Sequence, residues 1–358
     1  MAGVDDGILF PAEKLRAWTE QIFQRVGVSR EDTTLLTDSL IEANLRGVDT
    51  HGITRMLCVY VKRIQVGVMS ARTNLTVARD FPSTALIDCH NSIGQVASST
   101  AMRMTIEKAK KTGVAFVATT HSNHFGMAAY WAMKALPEGM VGFSSTNAPA
   151  AMAPTGGRVA MLGTNPFAVA IPAGKEQPMV LDLATTVVAR GRILLYAKQN
   201  KPLEPGWAFD ARGVPTTDPH EAVKGLLAPI GGYKGYGIAL AVDFLSGVLT
   251  GSNYGTHFPG FLADNMKDPT DVGSVFAAIN VASFMDLPEF QVRMDSAIRE
   301  VKACAKAEGV RRIYIPGEIE FEARAKRLAE GIPIPEQVVK DFVALGKELD
   351  VPFPAVGA

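Results

Sequence analysis

Apolar and polar residues alternate along this chain in two rhythms, one helical and one of strand type. Leu15, Trp18, Ile22 and Val26 share one face of a helical repeat from Pro11 to Val26, with Pro11 in the first turn and Gly27 as the stop. Ser29 followed by the acid Asp32 is an N-cap pattern, opening a second helix through Leu35, Leu36, Leu40, Ile41 and Ala43. A helical hairpin therefore begins the chain. Short apolar runs predict strands at residues 85–89, 114–118, 168–171, 179–183 and 275–281, and Met140 starts a run read as strand then turn. Helices are expected over residues 94–111, 187–198, 238–249, 288–308, 319–328 and 333–349. A short strand at Ile313–Ile315 is predicted to end in the turn Pro316-Gly317-Glu318, and the tail from Val351 reads as loose. Repeated strand–helix units give an α/β class.

Lys201 to Pro219 holds four prolines and no clear period, and reads as a long loop serving as a functional surface or lid. No internal repeat or low-complexity segment is visible.

Composition narrows the class. The chain has 358 residues, 36 basic and 36 acidic, so the net charge is zero and nothing points to nucleic acid or an anionic membrane. No run approaches the roughly 20 apolar residues of a membrane helix, and the acidic start lacks a signal-peptide pattern. Cys58, Cys89 and Cys304 are odd in number and far apart, which fits buried thiols in a reducing compartment better than disulfides or zinc. A soluble, cytoplasmic protein is the expectation.

Four stretches carry candidate chemistry. The first is Thr119-Thr120-His121-Ser122-Asn123-His124-Phe125-Gly126, which places two imidazoles between a strand end and a helix start, where ligands collect in open α/β sheets. His121 and His124 are three apart, but a metal site needs further ligands and none stands nearby in sequence; His121 is expected to satisfy backbone groups of the turn.

The second is the loop Arg46 to Arg55. It concentrates Arg46, Asp49, His51 and Arg55 among two glycines. It is either an exposed turn with Asp49 capping the next helix, or a substrate loop with His51 as proton donor or hydrogen-bond partner and Arg55 as carboxylate clamp. The third is Asp182-Leu183-Ala184-Thr185-Thr186, where a carboxylate and hydroxyls at a helix start suit a ribose or diphosphate, or merely cap the helix. The fourth is Gly231-Gly232-Tyr233-Lys234-Gly235-Tyr236-Gly237, whose glycine-rich backbone and lysine suit an anion. It is neither GxxxxGK[ST] nor GxGxxG, and neither pattern occurs in the chain.

Arg46 to Arg55, His124-Phe125-Gly126, Gly163-Thr164-Asn165-Pro166, Asp182 to Thr186, Gly213 to Pro219, Lys234 to Gly237 and Pro316-Gly317-Glu318 occur in one order. Together they resemble the malate/L-sulfolactate/ureidoglycolate dehydrogenase family, the type-2 malate/L-lactate dehydrogenases, over about Lys14 to Pro335. The resemblance implies an NAD(P)-dependent oxidoreductase of small 2-hydroxy acids or, in one branch, a reductase of cyclic imino acids. NAD is the expected cofactor, with NADP open, and no resident metal is expected. The resemblance also implies a homodimer with its active site near the subunit interface, acting on a small-molecule substrate.

The implied fold is a non-Rossmann mixed-sheet dinucleotide-binding domain at residues 76–287, with a helical segment 1–75 packing against 288–358. Carried over by motif, Asp182, Leu183, Ala184, Lys234, Gly235, Gly317, Glu318 and Ile319 contact the dinucleotide. His124 matches the proton acceptor, His51 an alternative to it, and Arg55 the carboxylate ligand. The family loop commonly reads Ser-His-Gly; here it is Thr50-His51-Gly52, whose added methyl narrows the pocket.

Overall fold

The computed structural model describes residues 7–259 and 266–355. Strand β1 (Ile8–Phe10) precedes helices α1 (Ala12–Arg25), α2 (Arg30–Leu45) and α3 (Ile53–Gln65). Ser29 Oγ accepts the Asp32 N–H at 3.1 Å, so α2 starts on its side-chain cap. There follow β2 (Thr76–Asp80), β3 (Thr84–Asp88), α4 (Gly94–Thr112), β4 (Val114–Ser122), α5 (Ala128–Ala132), β5 (Met140–Thr146), β6 (Phe167–Ile171) and β7 (Met179–Leu183). Next come α6 (Arg190–Lys198), β8 (Ala208–Phe209), β9 (Pro215–Thr216), α7 (Pro219–Lys224), β10 (Leu226–Leu227) and α8 (Tyr233–Asp243). The chain closes with β11 (Val272–Asn280), α9 (Leu287–Ala303), α10 (Glu318–Glu330), β12 (Ile332–Ile334) and α11 (Glu336–Glu348).

A seven-stranded mixed sheet of order β2-β3-β4-β11-β5-β6-β7 is the frame. Only β3 and β4 run parallel, joined by α4; every other neighbouring pair is antiparallel. Strand β11 arrives late in sequence and slots between β4 and β5, with Phe276 opposite both Val117 and Ser144. One core packs α4 and α5 on this sheet: Ala97, Ala101, Met102 and Trp131 meet Ile87, Val117, Phe276 and Ala168. A second core joins the two ends of the chain, with Leu15, Trp18, Leu40 and Tyr60 packed against Ile334, Phe342 and Val351.

Several expectations are corrected. The tail is anchored, because Trp18 Nε1 donates to the Val351 carbonyl at 3.0 Å and the Phe353 ring sits 4.7 Å from Trp18 and 5.1 Å from Phe10. Residues 201–219 are not a plain loop: β8 pairs with both β9 and β10 in a small sheet, and Leu203 and Trp207 are buried with Ile193 and Leu227. Residues 313–315 form no strand, and α9 stops at Ala303. Only Cys89 is buried; Cys58 is half-buried and Cys304 exposed. Among the described residues, no helix is long and apolar enough to cross a membrane.

Candidate active site

Strand β4 runs on to Ser122, since Thr119 and Ser122 still pair with β11. The turn after it is clamped from three sides. Asn123 Nδ2 donates to Asn91 Oδ1 at 2.9 Å and to the Ser92 carbonyl at 3.0 Å. Gly94, first in α4, lies directly under the turn: a Cβ there would sit 2.2 Å from the Asn123 oxygen and 2.4 Å from that of His124. Gly126 turns at φ +81, where an L side chain is strained. The Ala129 N–H then donates to the Asp182 carboxylate at 2.8 Å, tying the turn to the end of β7.

His124 is half-buried, with Tyr60 Oη 2.5 Å from its Nδ1. Gln95 Nε2 donates to Tyr60 Oη at 2.9 Å, and the Gly126 N–H donates to His124 Nδ1 at 3.3 Å. The His51 ring stacks beside His124, centroids 5.5 Å apart and 18° between planes. His51 Nδ1 lies 2.9 Å from Thr50 Oγ1. Burial pushes the His51 imidazole down to about 4, with the Arg55 charge adding to the shift. Burial also holds His124 well below the usual histidine range, reinforced by His51 and Arg55.

The loop before α3 divides its charges between frame and site. Arg46 Nε bonds Glu42 at 2.7 Å. Asp49 does not cap α3, whose N-cap is Gly52 without a side-chain bond; its carboxylate takes the Arg327 guanidinium at 2.6 and 3.0 Å and the Asn44 amide at 2.7 Å. Those bonds fix the turn that carries His51. Arg55 is the third residue of α3, with an exposed side chain against the first turn of α6: a Cβ on Gly191 would be 3.0 Å from Arg55 Nη1. The structure thus brings His124, His51 and Arg55 to one corner.

His121 does not join them. It is exposed at φ +48, and its Nδ1 is 3.1 Å from Asp88 Oδ1, whereas the sequence suggested backbone partners and no nearby carboxylate.

The segments expected to meet a dinucleotide converge beside this corner. Asp182 and Leu183 end β7 and Ala184 follows. The Val180 N–H donates to the Pro316 carbonyl at 2.9 Å, laying residues 316–319 along β7; Gly317, at φ +96, allows the approach, since a Cβ would be 2.9 Å from Val180 Cβ. Glu318 spends its carboxylate on Lys302 at 2.6 Å and the Ile315 N–H at 3.0 Å, so its side chain serves the frame while Ile319 stays exposed. The Ile230 N–H donates to Thr185 at 2.9 Å, bringing the glycine-rich segment to β7 as well.

Thr185 and Thr186 are not at a helix start, as expected from sequence; both are buried, and α6 begins five residues after Thr185, at Arg190. Burial pushes Asp182 up to about 6, with the Ala129 N–H pulling the other way and Glu320 adding to the rise.

This region fits a diphosphate. Helix α8 starts at Tyr233 on Gly232 with no side-chain cap, leaving its first N–H groups open. Lys234 in that turn is exposed, and a Cβ on Gly231 or Gly232 would meet nothing within 4 Å. Tyr60, Gln95, Asn44 and Arg327 went unsignalled in the sequence, because each acts through a partner far along the chain.

Two stacked imidazoles beside an open helix start fit a dinucleotide-dependent oxidoreductase of a small acid, and comparison with known proteins supplies the family. A malate/L-lactate dehydrogenase family model matches residues 10–343, and the chain belongs to that family. It is 38% identical over 352 residues to a malate dehydrogenase of Pyrococcus abyssi, covering 96% of each chain. It is 38% identical over 328 residues to an L-sulfolactate dehydrogenase of Methanocaldococcus jannaschii, covering 92% of this chain and 93% of the relative. The solved sulfolactate dehydrogenase of that organism superimposes with TM-score 0.91 at 36% identity, covering 97% of this chain and 98% of the other. Further relatives carry NAD(+) or NADP(+) in their names.

Proposed function

We propose that this protein is an NAD(P)-dependent dehydrogenase of small 2-hydroxy acids, interconverting them with their 2-oxo acids. The observation that carries the reading is the stacked, neutral pair His51 and His124 with Arg55 one helical turn away. Oxidation of a 2-hydroxy acid removes a proton from oxygen and a hydride from carbon. The bound nicotinamide dinucleotide supplies the hydride acceptor.

The chain's own residues do the rest. Arg55 holds the substrate carboxylate, and its planar fork orients the C–H bond. The imidazole pair serves the oxygen, one ring as donor and one as proton acceptor. Asp182, Leu183 and Ala184 line the ribose side, Lys234 and Gly235 at the start of α8 the diphosphate, and Gly317, Glu318 and Ile319 close the other edge. Asp182 leans the preference to NAD, by hydrogen bonding to ribose hydroxyls. The three unpaired cysteines suit a reducing, cytoplasmic setting.

The active form is a homodimer. Helix α8 and the π-helical turn Phe244–Val248 after it leave Ile238, Phe244, Leu245, Val248 and Leu249 exposed, an apolar face that a second copy would cover.

A substrate panel tests the activity. L-malate, L-lactate, sulfolactate and ureidoglycolate are offered with NAD and NADP, and piperideine carboxylate with the reduced cofactors. Turnover of at least one hydroxy acid is expected. Reduction of the cyclic imine alone would move the protein to the imine-reducing reading, for which a solved piperideine-2-carboxylate reductase of Pseudomonas syringae, 27% identical with TM-score 0.83, is the support.

A further inference from the structure

We propose that Tyr60 and Gln95 are positioning residues that hold neutral His124 as the Nε2–H tautomer, so that this ring donates a hydrogen bond to the substrate oxygen and the exchanged proton belongs to His51. The inference rests on the reading above, in which both rings meet the substrate.

A neutral imidazole has one N–H and one lone pair, and its neighbours decide which nitrogen carries which. Among the described residues, His124 Nδ1 meets Tyr60 Oη at 2.5 Å and the Gly126 backbone N–H at 3.3 Å. A backbone N–H only donates, so it favours a lone pair on Nδ1. The Tyr60 hydroxyl is set the same way, because Gln95 Nε2 donates to its oxygen at 2.9 Å and turns the hydroxyl proton toward His124. Tyr60 and Gln95 are both fully buried, so no water competes for this chain. Gln95 stands in the first turn of α4, the helix whose Gly94 lies under the His124 carbonyl, so one element fixes both the backbone and the ring. The single N–H of neutral His124 is therefore on Nε2.

A ring in this state has no basic site on the substrate side. For His124 to accept a proton at Nε2 it would first have to turn an Nδ1–H against the Gly126 N–H, placing two donors face to face in a buried site. His51 carries no such restriction. Its Nδ1 is 2.9 Å from the Thr50 hydroxyl, which accepts as readily as it donates. With Nδ1–H on Thr50, His51 keeps a lone pair on Nε2. In oxidation the substrate O–H bond breaks and its proton goes to His51. The C–H bond breaks and its electron pair leaves as hydride to the nicotinamide. The new C=O oxygen stays on the His124 Nε2–H. Reduction runs the same steps backwards.

Nuclear magnetic resonance of the whole protein with isotope-labelled histidine ring nitrogens, near neutral pH and without substrate, reads the tautomer directly. His124 is expected to carry its proton on Nε2. Tyr60→Phe should populate the Nδ1–H form and lower kcat by about ten- to a hundredfold, below the full effect of acid–base catalysis, with dinucleotide KM unchanged. Gln95→Glu, whose carboxylate accepts from the Tyr60 hydroxyl, should reverse the chain and move the proton to Nδ1. A wild-type spectrum with Nδ1–H overturns the proposal, and a tautomer that persists in either variant removes that residue from the role. If Tyr60→Phe does not fold, the wild-type and Gln95→Glu spectra decide. The spectrum needs no turnover, so an error in the substrate class leaves this test intact.

Discussion

Burial acts on Asp182 and on His51 in opposite senses, and the difference gives a test in stability. Asp182 is raised from 3.8 to about 6. A raised carboxylate contributes stability that is present below its unfolded value of 3.8 and lost as pH rises through about 6. Above that window its buried charge is a burden. Asp182→Asn keeps an acceptor for the Ala129 N–H and removes the charge. The variant should melt a few degrees higher than the parent near neutral pH, and the gap should close as pH falls toward the unfolded value; a lower melting temperature at neutral pH would contradict this account.

His51 runs the other way: its stability is present above 6.5 and lost as pH falls through about 4. At this scale the sequence was informative where candidate residues lie in short motifs that the fold brings together. His51, His124 and Arg55 stood in short polar motifs, and all three meet. The assignment failed for His121, three residues from His124, because only the register of β4 shows that its ring leaves toward Asp88.

Helix α4 is the element that sets the site. Its first residue touches the backbone of the turn that carries His124 without a side chain between them. Gly94→Ala would force a Cβ against the Asn123 and His124 carbonyls and displace the ring. Turnover should fall on the order of 10²-fold, since about an ångström of misplacement has that effect, while far-ultraviolet circular dichroism stays unchanged. Unaltered turnover would show that the turn is not held this way.

Element boundaries were legible where caps announce them, as at Ser29 before α2. They were not where a partner strand decides: Thr119 to Ser122 look like a loop until β11 pairs with them. The same holds for β8 and β9, each of two residues, which pair with each other while β10 adds to the other edge of β8.

Across the whole molecule, the α/β class followed from local pattern, but the arrangement of the sheet did not. Strand β11 pairs Val275 with both Ala118 and Ser145, contacts over more than a hundred residues of chain that no local periodicity encodes. The anchored tail escaped for the same reason, since Val351 and Phe353 are held by Trp18 near the other end.

The exposed apolar face after α8 carries the prediction about assembly. Leu249 there is 61% exposed and Val248 53%. Val248→Glu should halve the mass measured by light scattering from dimer to monomer and lower activity with it. A parent protein that is monomeric at assay concentration would contradict the dimer.

The central claim is that an imidazole beside Arg55 serves the substrate oxygen next to a separately built dinucleotide site. His124→Ala, assayed for turnover and for NADH binding by fluorescence energy transfer, tests it most directly. The account predicts a loss of about 10²- to 10⁴-fold in kcat with NADH binding retained. Full turnover in that variant would contradict it.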